Sequence, residues 1–128
     1  MTIERFGGAA PWEARYGYCR VVLAGGWALT AGTTATGPDG VLHPGDPYAQ
    51  TRAAFGIALQ ALADAGAPIE RVVRTRMYVT DIAGQAEIRR AHHELFGAVR
   101  PVATMIQVVA LADPDHFVEV EVEAYVGG

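Results

Sequence analysis

The stretch Val118-Glu119-Val120-Glu121-Val122-Glu123 alternates valine with glutamate near the C-terminus. Side chains of a β-strand point alternately to opposite faces, so this stretch predicts a strand with one apolar face and one anionic face. The valines can then pack on a core, while the carboxylates line up on the other side and require partners.

Arg74 and Arg76 recur with the same period of two in the earlier stretch Val73-Arg74-Thr75-Arg76-Met77-Tyr78. Opposite charges that face each other across neighbouring strands stabilise a sheet by about 0.2 to 1 kcal/mol per pair. We therefore expect the two stretches to be strands of one sheet whose polar faces match.

The composition narrows the class of protein. A chain of 128 residues predicts a single domain over 1–128. Its formal net charge of -4 argues against a nucleic acid as the main partner and against a membrane surface, since both bind clustered cations. No apolar run approaches the about 20 residues of a membrane-spanning helix, and the first residues lack the basic start of a signal peptide. We expect a cytoplasmic protein.

Missing residue types exclude several chemistries. All ten cationic side chains are arginine, so no lysine is present for a Schiff base or a phosphate loop. Serine is also absent, which excludes a serine nucleophile. The single cysteine, Cys19, can form no internal disulfide, and the four histidines lack zinc-ligand spacing. We predict neither a metal nor a cofactor.

The order of the predicted elements indicates an α+β fold with two helices on one face of a sheet. Asp46-Pro47 predicts a capped helix start, and Gly66 predicts the end of that helix. A second helix is predicted over 84–96. Strands are predicted over 19–23, 27–31, 71–80, 104–111 and 117–126.

The face without helices has an unusual composition. It would carry Arg74, Arg76, Tyr78, the three glutamates and, by periodicity, Met105 and Gln107. Such a face is too mixed for the solvent surface of a monomer and too charged for its core. We therefore expect a symmetric oligomer.

Five short motifs follow one another along the chain: Gly17-Tyr18, Ala31-Gly32-Thr33, VVRTRMYVTD at 72–81, RPVATM at 100–105 and Glu121-Val122-Glu123-Ala124. In this order they resemble the reactive-intermediate deaminase (Rid) family, also called YjgF/UK114 and, for some members, endoribonuclease L-PSP. The resemblance covers 18–126. It implies a chorismate-mutase-like fold with a six-stranded sheet, and a homotrimer with a barrel-like core and three pockets at subunit interfaces.

The resemblance also implies roles for single residues. In the imine-hydrolysing branch of the family, a glutamate of the last strand orients the attacking water, and Glu121 matches it. Tyr18 matches a pocket tyrosine, and Gly32 matches a glycine whose backbone lies beside the ligand. The spacing alone leaves the alternatives open that Glu121 is a structural rung, as we expect for Glu119 and Glu123, and that Tyr18 is a core aromatic.

The chain departs from the family pattern at the substrate anchor. The branch grips the substrate carboxylate with an arginine two residues after the proline, where this chain has Ala103. Arginine holds a carboxylate through two parallel hydrogen bonds, and alanine offers none. Arg89 stands where the branch usually has asparagine, on the buried edge of the predicted second helix, and we predict that it is a displaced anchor. Met105 and Gln107 are expected to line the pocket opposite Glu121 or to lie at an interface.

The predicted function is hydrolysis of an imine, an enamine or a related electrophilic metabolite by water addition in an intersubunit pocket. Two alternatives remain at this stage. The first is a metabolite-binding or regulatory trimer that lost catalysis together with the arginine. The second is a ribonuclease, which the acidic charge and the lack of lysine make the weakest of the three.

Overall fold

The computed structural model describes residues 2–8 and 10–127, so that residues 1, 9 and 128 of the predicted domain lie outside the described part. The α-helices are α1 (Trp12–Tyr16), α2 (Pro47–Asp64) and α3 (Gln85–Phe96). The strands are β1 (Ile3–Phe6), β2 (Val21–Ala24), β3 (Trp27–Thr30), β4 (Thr33–Thr34), β5 (Thr36–Gly37), β6 (Gly40–Val41), β7 (Val72–Val79), β8 (Val102–Gln107) and β9 (Val118–Tyr125).

One mixed sheet organises the chain. Its strand order is β1-β2-β3-β9-β7-β8, and the two-residue strand β4 also pairs with β9. Neighbours along this order are antiparallel except β7 and β8, which are parallel. Strands β5 and β6 form a separate small hairpin. The predicted α+β fold with six strands and two main helices is confirmed, with β4 as a short seventh strand of the sheet.

Strand β9 lies in the middle of the sheet, and one of its faces is wholly apolar. Val118, Val120 and Val122 are fully buried in the same core as Phe55 and Leu62 of α2. The side of the sheet that carries these valines is called here the helix-side face, and the side that carries the three glutamates is the open face. The alternation of valine and glutamate thus decides which face the helices cover.

Helix α2 begins and ends as its sequence predicts. The Asp46 carboxylate accepts a hydrogen bond from the Ala49 backbone N–H at 3.0 Å, and Pro47 occupies the first turn. Beyond the helix, Gly66 has a φ of +94°, a left-handed conformation that glycine adopts without a steric penalty.

Helix α3 packs on the same face as α2. Its buried residues are Ile88, Ala91 and Phe96, and the Phe96 ring meets the Phe55 ring edge-on at 5.1 Å between centroids. Arg89 was expected on the buried edge of this helix, but it is exposed. The correction has a simple cause, since Arg89 follows the buried Ile88 by one residue, which turns it about 100° away from the core.

Strand β8 differs from its prediction in both extent and orientation. It covers Val102–Gln107 rather than 104–111. Because β8 runs parallel to β7, Met105 lies beside Met77 and Gln107 beside Val79, on the helix-side face. The expectation that Met105 and Gln107 share the open face with the glutamates is therefore wrong within one chain. The sequence shows that Met105 and Gln107 lie on the same face of β8, but it does not show which face of β7 lies beside them.

The N-terminal elements β1 and α1 were not predicted. Strand β1 pairs with β2 at the sheet edge, and α1 is a helix of only five residues that ends at Gly17, with φ +81°. Both are too short to show a clear hydrophobic period. None of the helices within the described residues is long and apolar enough to cross a membrane.

Candidate functional site

The open face of the sheet carries the ladder of opposite charges that the sequence predicts. Strands β7 and β9 are antiparallel, and their register places Arg74 opposite Glu123 and Arg76 opposite Glu121. Arg76 Nη1 donates to Glu123 Oε1 at 2.7 Å, and Arg74 Nε lies 3.6 Å from Glu123 Oε2. Glu123 thus serves both arginines and is the structural rung of the row.

Glu121 has a different partner. The Tyr78 hydroxyl donates to Glu121 Oε1 at 2.5 Å, and no cation lies within salt-bridge distance of Glu121 among the described residues. This hydrogen bond, with burial as the next cause, raises the pKa of Tyr78. The second carboxylate oxygen accepts no hydrogen bond within the described part of the chain, so it is free to accept one from a water molecule.

Glu119 has no such partner. Within residues 2–8 and 10–127 its carboxylate forms neither a hydrogen bond nor a salt bridge, although the residue is partly buried. Burial raises the pKa of Glu119, and the nearby Glu121 acts in the same direction, whereas His116 and Arg20 oppose the shift. Glu119 was expected to be a structural rung like Glu123, and the contacts do not support that role.

Glu119 and Glu121 line one cavity of about 310 Å³. We refer to it as the Glu121 cavity, and its lining residues are Gly32, Tyr78, Val108, Ala110, Leu111, Glu119 and Glu121. Two carboxylates and one phenol therefore face an otherwise mostly apolar space. Such a space suits proton transfer to and from a small organic ligand.

Gly32 allows the Glu119 carboxylate to lie where it does. A Cβ atom added at Gly32 would be 2.5 Å from Glu119 Oε2 and 3.1 Å from its Cδ. Arg20 holds the same loop, because its Nη1 donates to the Gly32 carbonyl at 3.0 Å and to Thr33 Oγ1 at 2.9 Å. The backbone at Gly32 is thus held on one side by a guanidinium, and the Glu119 carboxylate fills the space that a Cβ atom would need on the other.

Tyr18 lies outside this cavity. Its side chain is exposed, and the Arg20 guanidinium carbon lies 5.7 Å from the centroid of its ring. Tyr18 is therefore not a core aromatic. Its only link to the Glu121 cavity among the described residues is through Arg20, which lies over its ring and donates to the carbonyl of the lining residue Gly32.

A second cavity, of about 440 Å³, lies at the edge formed by β8 and the end of α3. We refer to it as the Arg89 cavity, and its lining residues are Met77, Arg89, His92, His93, Phe96, Gly97, Arg100, Pro101, Ala103, Thr104 and Met105. Gln107 lines neither cavity, and its Oε1 accepts a hydrogen bond from the Ile82 N–H at 2.8 Å.

His92 is the packed histidine at the back of the Arg89 cavity. Its Nε2 lies 2.8 Å from Thr75 Oγ1, and its ring lies 4.7 Å from the Phe96 centroid and 5.7 Å from the Phe55 centroid. Burial, followed by the neighbouring His93, lowers the pKa of His92. His92 is therefore neutral near pH 7 and adds no charge to the cavity.

The predicted site residues thus divide between two surfaces of one chain. Gly32 and Glu121 line one cavity, and Arg89, Ala103 and Met105 line the other. No residue is common to both linings. Sequence reasoning missed Tyr78 and Glu119 as neighbours of Glu121, although their positions on the matched polar faces of β7 and β9 were a usable signal.

No group of three or more His, Cys, Asp and Glu side chains in the described ranges is arranged to hold a metal ion. The absence of a metal and of a cofactor stays a prediction.

Nearly the whole chain matches one known protein family. The family model for endoribonuclease L-PSP matches residues 8–126. The chain belongs to the Rid family. The predicted resemblance is therefore confirmed, and the match covers both cavities described above.

Relatives of this Rid-family chain have been found in bacteria and archaea. It is 44% identical over 126 residues to an uncharacterized protein of Streptomyces coelicolor, covering 98% of this chain and 94% of that protein. It is 28% identical over 109 residues to a RutC family protein of Pyrococcus abyssi, covering 84% and 85% of the two chains.

The fold of the Rid-family chain matches a crystal structure closely. Rv2704 from Mycobacterium tuberculosis, a member of the YjgF/YER057c/UK114 family, superposes with a TM-score of 0.88 at 40% identity. The match covers 98% of this chain and 100% of Rv2704. The sheet order and the two main helices are thus those of the family.

Proposed function

We propose that this Rid-family chain forms a homotrimer and hydrolyses the C=N bond of a small imine or enamine metabolite in a pocket between subunits. The observation that carries the proposal is the division of the family-matched residues between two cavities. Glu121 and Gly32 line one, while Arg89 and Ala103 line the other. A pocket that uses both sets requires the Glu121 cavity of one protomer to face the Arg89 cavity of its neighbour.

The edge of the sheet supports association. Strand β8 has no partner on its outer side within the described residues, and its apolar residues Val102 and Ile106 are 58% and 46% exposed. Monomeric proteins avoid such apolar edge strands because they pair with other chains. Two different surfaces of one chain that meet each other generate a closed ring when the rotation between protomers closes. The family resemblance supports a ring of three protomers.

The proposed reaction begins at Glu121. One carboxylate oxygen is held by the Tyr78 hydroxyl, which leaves the other to accept a proton from water. The water oxygen bonds to the imine carbon, and the electron pair of the C=N bond moves to nitrogen, which takes up a proton. The nitrogen of the resulting carbinolamine then takes the proton that Glu121 accepted, the C–N bond breaks and ammonia leaves. The hydroxyl proton passes to the Glu119 carboxylate, and the carbon retains its oxygen as a carbonyl.

Glu119 is the proposed source of the proton for nitrogen. It lines the same cavity as Glu121, and burial raises its pKa, so that it holds a proton to higher pH than an ordinary glutamate. Two carboxyl groups in different environments can divide the roles of acid and base. The Gly32 backbone, positioned by Arg20, would contact the ligand beside them.

Arg89 is the proposed replacement for the missing anchor. Ala103 lines the same cavity as Arg89, so a guanidinium is available near the position where the family places its arginine. Crystals soaked with a small keto acid would test this assignment. A carboxylate bound away from Arg89 would end it.

The reaction can be tested with 2-iminopropanoate generated enzymatically in the presence of the purified protein. We expect faster release of pyruvate, and we expect the acceleration to vanish in Glu121→Gln. Glu123→Gln is the matched control, because Glu123 lies on the same face of β9 but contacts the ladder arginines. Light scattering should give three times the chain mass of 13.6 kDa.

The substitution at position 103 favours a second candidate function. A trimer that binds a metabolite without converting it would keep both cavities and lose the arginine on which the family branch depends. No acceleration by the wild-type protein, together with measurable binding of keto acids, would support this alternative.

A further inference from the structure

Most arginines of the chain have a protein partner. Salt bridges join Arg20 to Glu13, Arg52 to Glu94, Arg74 and Arg76 to Glu123, and Arg90 to Glu87 and Glu94. Arg71 donates to the Tyr125 backbone carbonyl at 2.8 Å. These side chains are engaged in holding the fold.

Arg89 and Arg100 differ from this group. Neither forms a salt bridge or a side-chain hydrogen bond within residues 2–8 and 10–127, and both line the Arg89 cavity. The neighbouring Arg90 shows the contrast, since it is held between Glu87 and Glu94 and does not line the cavity. Two unpaired guanidinium groups thus share one cavity.

The backbone of Arg100 makes its presence there costly. Its φ is +57°, in the left-handed region, and its N–H donates to the Phe96 carbonyl at 2.8 Å as the chain leaves α3. Glycine adopts this conformation without the steric penalty of a Cβ, and the following Pro101 restricts the residue further. Residues with strained backbone conformations cluster at functional sites, which makes Arg100 a candidate for a role in this cavity.

The other walls of the cavity define what it can hold. Met77, Phe96 and Met105 supply an apolar surface, His92 is kept neutral by burial, and among the described residues of the same protomer no aspartate or glutamate lines the space. Because each guanidinium can bind one carboxylate through two parallel hydrogen bonds, two unpaired arginines are complementary to two carboxylates.

We propose that Arg89 and Arg100 together bind a small dicarboxylic acid in this cavity, one guanidinium to each carboxylate. The inference rests on the proposed function in placing the substrate there, and it changes the expected substrate from a monocarboxylic to a dicarboxylic imine or keto acid. Arg100 is the specificity-determining residue, and Ala103 leaves room for the second carboxylate.

Isothermal titration with 2-oxoglutarate and 2-oxopentanoate tests the proposal without any turnover. The two acids have the same number of carbons and differ in the second carboxylate. We expect 2-oxoglutarate to bind the wild-type protein at least about tenfold more tightly, since one charge-assisted hydrogen bond is worth that factor or more. Equal affinities, or no binding of 2-oxoglutarate, would overturn the proposal.

The variants Arg89→Ala and Arg100→Gly identify the residues responsible. Each should lower the affinity for 2-oxoglutarate at least about tenfold and reduce the preference over 2-oxopentanoate, because a single guanidinium holds only one carboxylate. Arg90→Ala is the control and should bind like the wild type. Wild-type affinity in either cavity variant would contradict the assignment.

Misfolding cannot mimic these results. Alanine is the best helix former at the exposed position 89, and glycine suits the positive φ at position 100, so both variants should keep the wild-type Tm or exceed it. Tight binding of 2-oxoglutarate without accelerated hydrolysis of its imine would count against the proposed function alone, because this binding requires no catalysis.

Discussion

Tyr78 donates its hydroxyl hydrogen bond diagonally to Glu121 at 2.5 Å, although the residue directly opposite Tyr78 across the β7–β9 pair is Glu119. A phenol is long enough to reach the diagonal position on an antiparallel pair. Because of this diagonal hydrogen bond, the three glutamates on the open face of β9 have chemically different surroundings. Glu123 is held by arginines, Glu121 by a phenol, and Glu119 by no group in the described part of the chain.

Tyr78→Phe should show what the hydrogen bond to Glu121 contributes, because the variant leaves the Glu121 carboxylate in the chain and removes only its partner. The variant keeps the ring and removes the hydroxyl, so we expect a loss of about 1 kcal/mol in the free energy of unfolding, measured by urea denaturation. Imine hydrolysis should fall about tenfold because Glu121 is no longer held. A wild-type rate in Tyr78→Phe would mean that the hydrogen bond has no part in catalysis.

Gly32→Ala should displace the Glu119 carboxylate from the Glu121 cavity. The new Cβ would lie 2.5 Å from Glu119 Oε2, which forces the flexible side chain to rotate away. We expect a stability loss below about 1 kcal/mol, since only the end of a flexible side chain must move. A crystal structure of the variant is the direct measurement.

A double-mutant cycle serves as the control for this contact. Glu119→Ala removes the atoms that a Cβ at position 32 would meet, so the stability cost of Gly32→Ala should be smaller in that background. An unchanged carboxylate position in the Gly32→Ala crystal structure would contradict the close approach.

Glu119→Gln should change the pH dependence of stability in one direction. Burial raises the pKa of Glu119 in the folded chain above the ordinary 4.5, which applies to the unfolded chain. At a pH between 4.5 and the raised pKa, the folded chain therefore holds a proton that the unfolded chain has lost. Ionisation above that window destabilises the fold. We therefore expect the variant to be more stable than the wild type at pH 7, with the difference shrinking as the pH falls through the raised pKa towards 4.5.

Urea denaturation of both proteins between pH 4 and pH 8 measures this effect, with Glu123→Gln as the control on the same face of β9. Lower stability of Glu119→Gln than of the wild type at pH 7 would show that the carboxylate is stabilised in the fold by a partner.

His92 should make the fold sensitive to acid. Burial lowers its pKa below the ordinary 6.5, so the unfolded chain binds a proton before the folded chain does. The free energy of unfolding therefore has its full value above pH 6.5, where His92 is neutral in both states. It decreases as the pH falls from 6.5 towards the lowered pKa of the folded chain. His92→Gln, which can still reach Thr75 Oγ1, should show a smaller loss over that range in urea denaturation. Equal losses in the two proteins would place the acid-sensitive group elsewhere.

The sequence by itself determined the pairing of the central strands, the ends of the main helix and the family of this protein. A period of two with complementary charges identified β7 and β9 as strands with matched polar faces, and Asp46 and Gly66 marked the ends of α2. These features depend on neighbours along the chain or on a repeated alternation, so local chemistry specifies them. The ordered motifs were sufficient to identify the Rid family, and Ala103 already showed that the usual anchor is missing.

Only the tertiary structure decided how the glutamates divide their roles. The alternation with valine presents Glu119, Glu121 and Glu123 as equivalent, and only the family motif singles out Glu121. The register of β7 against β9 gives the three carboxylates different surroundings. The face of Met105 and Gln107 was likewise undetermined, because alternation gives two faces but not their phase relative to a distant strand. Arg100 joins Arg89 in one cavity through a left-handed turn that follows α3. Such relations arise from non-local packing, which residue spacing does not encode.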